Sequence, residues 1–474
     1  MMAAEDNSVY PGSRTTTVIV GLGKTGLSCA RFLAERNEPF VVVDSRKEPP
    51  YIKQLLSIAP NVECYFGKFE DFIFEQAKRL VVSPGVSIKE TLISEAIAQG
   101  AEVLGDIALF AEYAQAPIVA ITGSNGKSTV TALLGEMANK SKVTAIVGGN
   151  IGVPALELLQ SQDNVVAVTS GKKQQVTPDY YVLELSSFQL ETTPHLRAHS
   201  AVVLNVSEDH MDRYANLQEY VDAKRNIYNE CENIVFNRDD EIVKRMVDGL
   251  DRLSASSVIS VGMNEPSSDN DYGVALFEDE DWLVKGKQKI ISVNELSLPG
   301  RHNQFNALAA MALAETMGID FDAMRAALKT FKGLPHRMQL VATVNDVEWF
   351  NDSKGTNVGA TVSAISGMTG SKILIAGGEG KGADFEPLRE AVIANNVRLV
   401  ILIGRDAQLI ENVVSGVVKT ERANSLPEAV HLAHQQAKPK EKVILSPACA
   451  SFDMFNDYQH RGEVFMEAVR SLPL

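Results

Sequence analysis

Residues 122–129 read T-G-S-N-G-K-S-T, and no other stretch so narrows what this chain can fold into. They follow the apolar run A-P-I-V-A-I at 116–121 and lead into a helical pattern over 130–138. A buried strand, a glycine turn and a helix in that order form one unit of a parallel sheet. The turn presents backbone N–H groups and the positive end of a helix dipole to an anion. Lys127 adds a point charge over β- and γ-phosphates, and Ser128 a hydroxyl for Mg²⁺. The usual phosphate-loop spelling has a further glycine where Ile121 stands, so this is a variant of it.

A second strand–turn–helix unit opens the chain. G-L-G-K-T-G at 21–26 follows the run 15–20, and P-F-V-V-V-D at 39–44 closes with Asp44, about 20 residues on, as a dinucleotide fingerprint requires. A strand at 79–82 ends in Ser83-Pro84-Gly85, again a turn at a strand's carboxyl end. Further strand-like runs lie at 180–185, 201–206, 234–237, 372–376, 398–403 and 442–445. Their alternation with helical stretches predicts an α/β chain with mainly parallel sheets in three domains: 1–113 and 334–474 Rossmann-like, 114–333 an ATPase of the phosphate-loop type. The polar stretch at 160–179 reads as an exposed loop or hairpin with no assigned chemistry.

At 474 residues the chain exceeds one core. No window reaches the 18 or so apolar residues of a membrane span, and the opening M-M-A-A-E-D-N-S lacks a signal pattern. Cys29, Cys64, Cys231 and Cys449 are scattered, as reduced thiols of a cytoplasmic enzyme are. A net charge of −15 argues against a nucleic-acid partner.

Several local patterns have two readings each. Glu184 ends a strand-like run, where a carboxylate suits either Mg²⁺ or a helix N-cap. His210 stands beside Asp209 and Asp212 in N-V-S-E-D-H-M-D, as a ligand or a hydrogen-bonded surface histidine. Lys224 reads locally as solvated helix surface. Arg337, in L-P-H-R at a domain joint, fits a γ-phosphate contact or an interdomain salt bridge. The turns at 351–354, 377–381 and 446–451 follow strand-like runs and are candidate ligand loops.

Taken in order, T-G-S-N-G-K-S-T, E-L-S-S-F-Q-L-E (184–191), N-x-x-E-D-H (205–210), G-x-H-N-x-x-N (300–306) and L-P-H-R (334–337) resemble the Mur ligases of peptidoglycan synthesis. G-L-G-K-T-G-L-S, N-D-S-K-G-T-N (351–357) and S-P-A-C-A-S-F-D-M-F (446–455) are similar to the branch that adds D-glutamate. The resemblance runs from about residue 17 to the end, with 160–179 as an insertion. It implies ATP-dependent ligation of D-glutamate to UDP-N-acetylmuramoyl-L-alanine through an acyl phosphate, by a cytoplasmic monomer with no membrane partner.

Under that resemblance, Gly123, Ser124, Asn125, Gly126, Lys127, Ser128 and Thr129 hold ATP phosphates. Asn303 and Asn306 lie on the adenine side, Asp352 at the ribose and Arg337 at a phosphate. Ser128, Glu184, His210 and a carbamylated Lys224 hold metal. Thr356, Lys381, Ser451, Phe452 and Tyr458 receive D-glutamate, with Tyr458 where a phenylalanine is common. The first glycine turn then serves uridine diphosphate: Thr25, Asp44, Ser45, Arg46 and Gly85 contact it, and Asn150 the sugar-peptide portion. Lys24 replaces an apolar residue near the uracil. An NAD-dependent oxidoreductase leaves the second turn and the third segment without a use. A folylpolyglutamate synthase-like ligase conflicts with the 351–357 and 446–455 loops, and a non-catalytic nucleotide binder with the joint retention of Lys127, Glu184, His210, Lys224 and Arg337.

Overall fold

A computed structural model describes residues 16–160, 177–250 and 255–473, so the opening octapeptide and most of the 160–179 stretch lie outside the described residues. Three sheets carry the fold. The first holds β1 (Thr16–Val20), β2 (Phe40–Asp44), β3 (Glu63–Phe66), β4 (Ala77–Val82) and β5 (Glu102–Leu104) in the order β3-β2-β1-β4-β5, all parallel. The second runs from β6 (Ile118–Thr122) through β7 (Ala145–Gly149), β8 (Tyr180–Glu184), β9 (Ser200–Val203), β10 (Asn233–Asn237) and β11 (Ser257–Val261) to β12 (Tyr272–Phe277), β13 (Glu280–Lys285) and β14 (Gln288–Ser292). Its order is β14-β13-β12-β11-β10-β9-β6-β8-β7. The third holds β15 (Gln339–Val344), β16 (Val347–Asn351), β17 (Lys372–Gly377), β18 (Val397–Ile403), β19 (Lys419–Arg422) and β20 (Lys442–Leu445), ordered β15-β16-β20-β17-β18-β19.

The pairing departs from parallel in two places within these mainly parallel sheets. β12–β14 form an antiparallel meander, and β15 pairs antiparallel with β16. Glu278 and Asp279, and again Asn345 and Asp346, have positive φ, the signature of two-residue hairpin turns. A turn that short cannot hold the crossover helix a parallel pair needs. Helical periodicity also misplaced one boundary: the helix after the second glycine turn is Lys127–Asn139, beginning at the turn itself because Gly126 (φ 87) is its N-cap.

By contact, the chain divides into two compact units. One comprises Met1–Gln115, Gly148–Thr177 and Ser187–Leu196; the other Ala116–Val147, Pro178–Ser186 and Arg197–Leu474. The second unit thus contains the third sheet and all of the second except the last two residues of β7. One of its cores packs Val130, Leu133, Leu134 and Met137 of the helix Lys127–Asn139, and 307–314 of the helix Arg301–Thr316, onto Val119, Ile121, Val182 and Val202. That packing holds the second glycine turn at the carboxyl ends of β6, β8 and β9, where ligands sit in such sheets. No described helix is long and apolar enough to cross a membrane.

Candidate active site

The loop between β6 and its helix is held by its own backbone and by the neighbouring strand end. Gly123 (φ 152) and Gly126 take conformations that side chains rarely adopt. A Cβ on Gly126 would also fall 2.6 Å from Asn306 Oδ1, so glycine is what lets Asn306 approach the loop. Asn125 N donates to Asn205 Oδ1 at 2.8 Å, and Ser124 Oγ donates to Ser207 O at 2.9 Å. Lys127 Nζ folds back onto Gly123 O (2.6 Å) and Ser124 O (3.0 Å). Burial lowers its pKa, against the pull of Glu184 and Asp209. Thr129, Asn303 and Asn306 line a narrow cleft with Leu133, Leu298 and Phe331 beside the loop.

Lys224, which looked like surface, is 1% exposed. It sits in the last turn of the helix Leu217–Arg225, and its Nζ donates to Gly123 O at 3.1 Å over the ring of Tyr220. Burial pushes its pKa well down, Lys127 adds to the shift, and Asp209 and Glu184 oppose it. An amine so placed favours its neutral form. Glu184 is buried (3% exposed) at the end of β8, and Thr122 Oγ1 bonds the next residue's carbonyl at 2.8 Å. His210 has φ 59, its N–H bonded to Asp209 Oδ1 at 3.0 Å. Burial lowers its pKa, Asp209 raises it, and Lys381 and Lys127 lower it further. No three His, Cys, Asp or Glu side chains among the described residues converge as a ready metal site.

The third sheet's loops meet these groups directly. Arg337 Nη2 donates to Ser128 Oγ at 2.7 Å, not to an interdomain carboxylate. Asn357 Nδ2 donates to Asp209 Oδ2 at 3.0 Å and lies 3.3 Å from Asn125 Oδ1. Asp209, His210, Thr356, Asn357 and Lys381 line one cleft. Lys354 sits with its Nζ 3.9 Å from the Tyr458 ring centre, its pKa brought to about 8 by burial and Arg337. Asp352 is engaged internally: Ser446 Oγ donates to Oδ2 at 2.8 Å and Met338 N to Oδ1 at 3.2 Å. Burial lifts its pKa to about 6. Ser451 is buried and Phe452 is 66% exposed on the same loop.

Three residues here were not singled out from sequence. Tyr220 lies four residues before Lys224, so helical spacing alone puts both on one face. Asn357 and Lys354 lie inside the loop 351–357, whose composition is common in turns and gives no ranking of its members.

In the other unit, Asp44 at the end of β2 is saturated with donors: Leu22 N at 2.7 Å, Arg46 N at 2.8 Å, and Arg46 Nε and Nη2 at 2.9 and 2.6 Å. Burial raises its pKa, but the Arg46 and Leu22 bonds outweigh that and hold it low. Gly26 packs so tightly on the Gly21 carbonyl that a Cβ there would overlap it. Thr25, Ser45 and Gly85 stand around the same carboxyl end, following β1, β2 and β4. Lys24 Nζ reaches Gly152 O at 3.3 Å, near Asn150 in the chain.

The Mur ligase middle domain matches residues 121–314, the Mur ligase MurD-like N-terminal domain residues 15–105, and the Mur ligase glutamate ligase domain residues 336–449. A Nitrosococcus oceani protein named UDP-N-acetylmuramoylalanine--D-glutamate ligase is 48% identical over 98% of both chains. The chain belongs to the Mur ligase family. A Legionella pneumophila relative of the same name is 44% identical over 96% of this chain and 99% of its own. Among solved structures, the fold resembles a pseudomurein peptide ligase from Methanothermus fervidus (TM-score 0.60, 18% identity, 96% of this chain and 100% of that one). A Thermotoga maritima UDP-N-acetylmuramate-alanine ligase gives a TM-score of 0.57 at 16% identity, covering 97% and 100%. These Mur ligases share the three-domain α/β architecture of this chain.

Proposed function

We infer that this Mur ligase joins D-glutamate to UDP-N-acetylmuramoyl-L-alanine at the expense of ATP, in peptidoglycan precursor synthesis. The single observation that carries the chemistry is the 2.7 Å bond from Arg337 to Ser128, which brings a third-sheet cation onto the phosphate loop. The choice of D-glutamate rests on the names of the relatives. A carboxylate is a poor electrophile at neutral pH. Transfer of a γ-phosphoryl group makes it an acyl phosphate, and attack by the amine then expels phosphate. Both steps build charge on oxygen, where fixed cations act most strongly.

Residue roles follow the same reading. Lys127, Arg337 and the N–H groups of 123–129 neutralise the transferring phosphoryl group. Asn303 and Asn306 border the cleft proposed for adenine, with Asp352 supporting the ribose side. Thr356, Lys381, Ser451, Phe452 and Tyr458 receive the amino acid, and Lys354 joins them. Thr25, Asp44, Ser45, Arg46, Gly85 and Asn150 take the uridine-linked substrate. We propose functional boundaries at 113/114 and 333/334, and a soluble cytoplasmic monomer.

The donor set fits a divalent cation on one condition. Ser128, Glu184 and His210 are acceptors, but an ammonium at Lys224 would repel the ion. Burial favours the neutral amine of Lys224, which adds to CO₂ and releases a proton to give a carbamate, an anionic ligand on a long stem. Mg²⁺, when bound, would screen phosphate charge.

Phosphate release with UDP-N-acetylmuramoyl-L-alanine and ATP tests the reading, with D-glutamate compared against L-glutamate, L-alanine and meso-diaminopimelate. Release with D-glutamate alone is expected. Release with another amine would keep the mechanism and move the specificity; a folded, ATP-binding sample that releases none would sink the ligase reading.

A further inference from the structure

Arg461 is the one arginine buried outright among the described residues, at 1% exposure. It stands in the first turn of the helix Tyr458–Arg470, whose N-cap Asp457 accepts from His460 N. No described carboxylate lies within ion-pair distance of it. A buried, unpaired guanidinium costs several kcal/mol of lost hydration, so its position calls for a reason. Every bond it makes goes to a neutral acceptor on two loops. Nε donates to Ser353 Oγ at 3.0 Å and Nη2 to Ser353 O at 2.8 Å. Nη1 donates to Cys449 O at 3.1 Å and Ala450 O at 3.3 Å. Ser353 Oγ in turn donates to Tyr458 O at 2.8 Å, which fixes that hydroxyl.

A third loop joins the same point. A Cβ on Gly378 would come within 3.4 Å of Arg461 Nη1. Glu379 and Ala450 exchange backbone bonds of 3.0 and 2.9 Å. The fork therefore holds the loops after β16 and β20 directly, and the loop after β17, the next strand over, is tied to the same point through its backbone pairing with Ala450. Those loops carry Thr356, Lys381, Ser451 and Phe452. Burial brings the Arg461 pKa down to about 10, partly opposed by Cys449, Asp453 and Asp352, which leaves it cationic at neutral pH.

Building on the D-glutamate reading above, we propose that Arg461 is a positioning residue for the amino-acid substrate: its fork, with the Glu379–Ala450 pairing, sets the three receiving loops in register, and its cationic charge beneath them, bonded only to neutral acceptors, favours a dicarboxylate. Neither lysine nor glutamine reproduces a planar five-donor fork, and only lysine keeps the charge.

The test begins with the amine panel on the unaltered enzyme, which settles the D-glutamate reading by itself. KM for D-glutamate and for ATP are then measured in Arg461→Lys, Arg461→Gln and Ser353→Ala, with binding of a fluorescent ATP analogue as the check on folding. The expected KM for D-glutamate rises about 10-fold in Arg461→Lys and further in Arg461→Gln, as loss of charge-assisted bonds predicts. KM for ATP should stay within about twofold, since none of these bonds touches the phosphate loop. An unchanged KM for D-glutamate in Arg461→Gln, or equal rises for both substrates, overturns the proposal. If the arginine variants do not fold, Ser353→Ala decides: a selective rise of about threefold supports the clamp, and none refutes it. If the unaltered enzyme uses a different amine, the same KM split is read with that amine.

Discussion

The turn 21–26 and the loop 122–129 are the same backbone device. Each follows a buried strand, opens a helix and uses positive φ at glycine, Gly21 in the first and Gly123 and Gly126 in the second. Their charges differ. Beside the first stands the buried carboxylate of Asp44, whose oxygens are already bonded to Leu22 N–H and a largely exposed Arg46. Around the second, Lys127 and the buried Lys224 both bond the Gly123 carbonyl, and Arg337 arrives from another sheet. Glycine spacing marks where an anion fits. Three basic side chains gathered at one loop mark where a transferring phosphoryl group can be stabilised.

That contrast breaks most sharply at Lys127. Lys127→Met should lower kcat for phosphate release by about 10³-fold, the scale of losing a fixed charge at a transferring phosphoryl group. Circular dichroism should stay unchanged. A loss below tenfold would mean that the loop binds nucleotide without stabilising its transfer. Lys224→Ala comes next, with about 10²-fold loss or more. Added formate or acetate should restore part of the rate by supplying the missing carboxylate, and full activity without them would remove the carbamate role.

The legibility of these two regions from sequence was uneven for a physical reason. Strand, turn and helix are local, so β1, β6 and β20 came within two residues of their observed bounds. The hairpins at 278–279 and 345–346 escaped because Glu-Asp and Asn-Asp carry no glycine to announce a positive φ. Lys224 read as surface because its burial depends on Tyr220 and Gly123, the latter 101 residues away. Only the family resemblance named it. Arg461 escaped altogether: its partners are backbone carbonyls, which leave no trace in side-chain identity.

Asp352 tests whether buried charge in the catalytic unit carries a stability cost. Its folded pKa is about 6, above the ordinary 3.8. Below pH 4 it is protonated in both states and neutral in effect. Between pH 4 and 6 the unfolded chain releases the proton first, so stability falls as pH rises, and above 6 the full penalty persists. Asp352→Asn keeps acceptor and donor positions for Met338 N and Ser446 Oγ while removing the charge. Its stability relative to the unaltered protein should therefore grow from pH 4 to 6 and level off above, reaching roughly 1–3 kcal/mol. KM for ATP should rise at the same time. A stability difference independent of pH would show that the carboxyl is already neutralised by its surroundings.

Arg46 carries the smallest expected effect and closes the comparison from the other side. Its guanidinium is 52% exposed and bonds a carboxylate that keeps the Leu22 N–H bond without it. An exposed partner of this kind contributes about 0.2–1 kcal/mol, and less at high salt. Arg46→Ala should thus barely move Tm. If the first glycine turn holds uridine diphosphate, the same change should raise KM for that substrate severalfold and leave kcat at saturation intact, the pattern of a group that binds equally in ground and transition states. A fall in kcat at saturation would place Arg46 in the chemistry and erase the distinction between the two turns; an unchanged KM would leave Asp44 and its arginine as scaffolding, and the substrate's anion would have to be sought elsewhere in that unit.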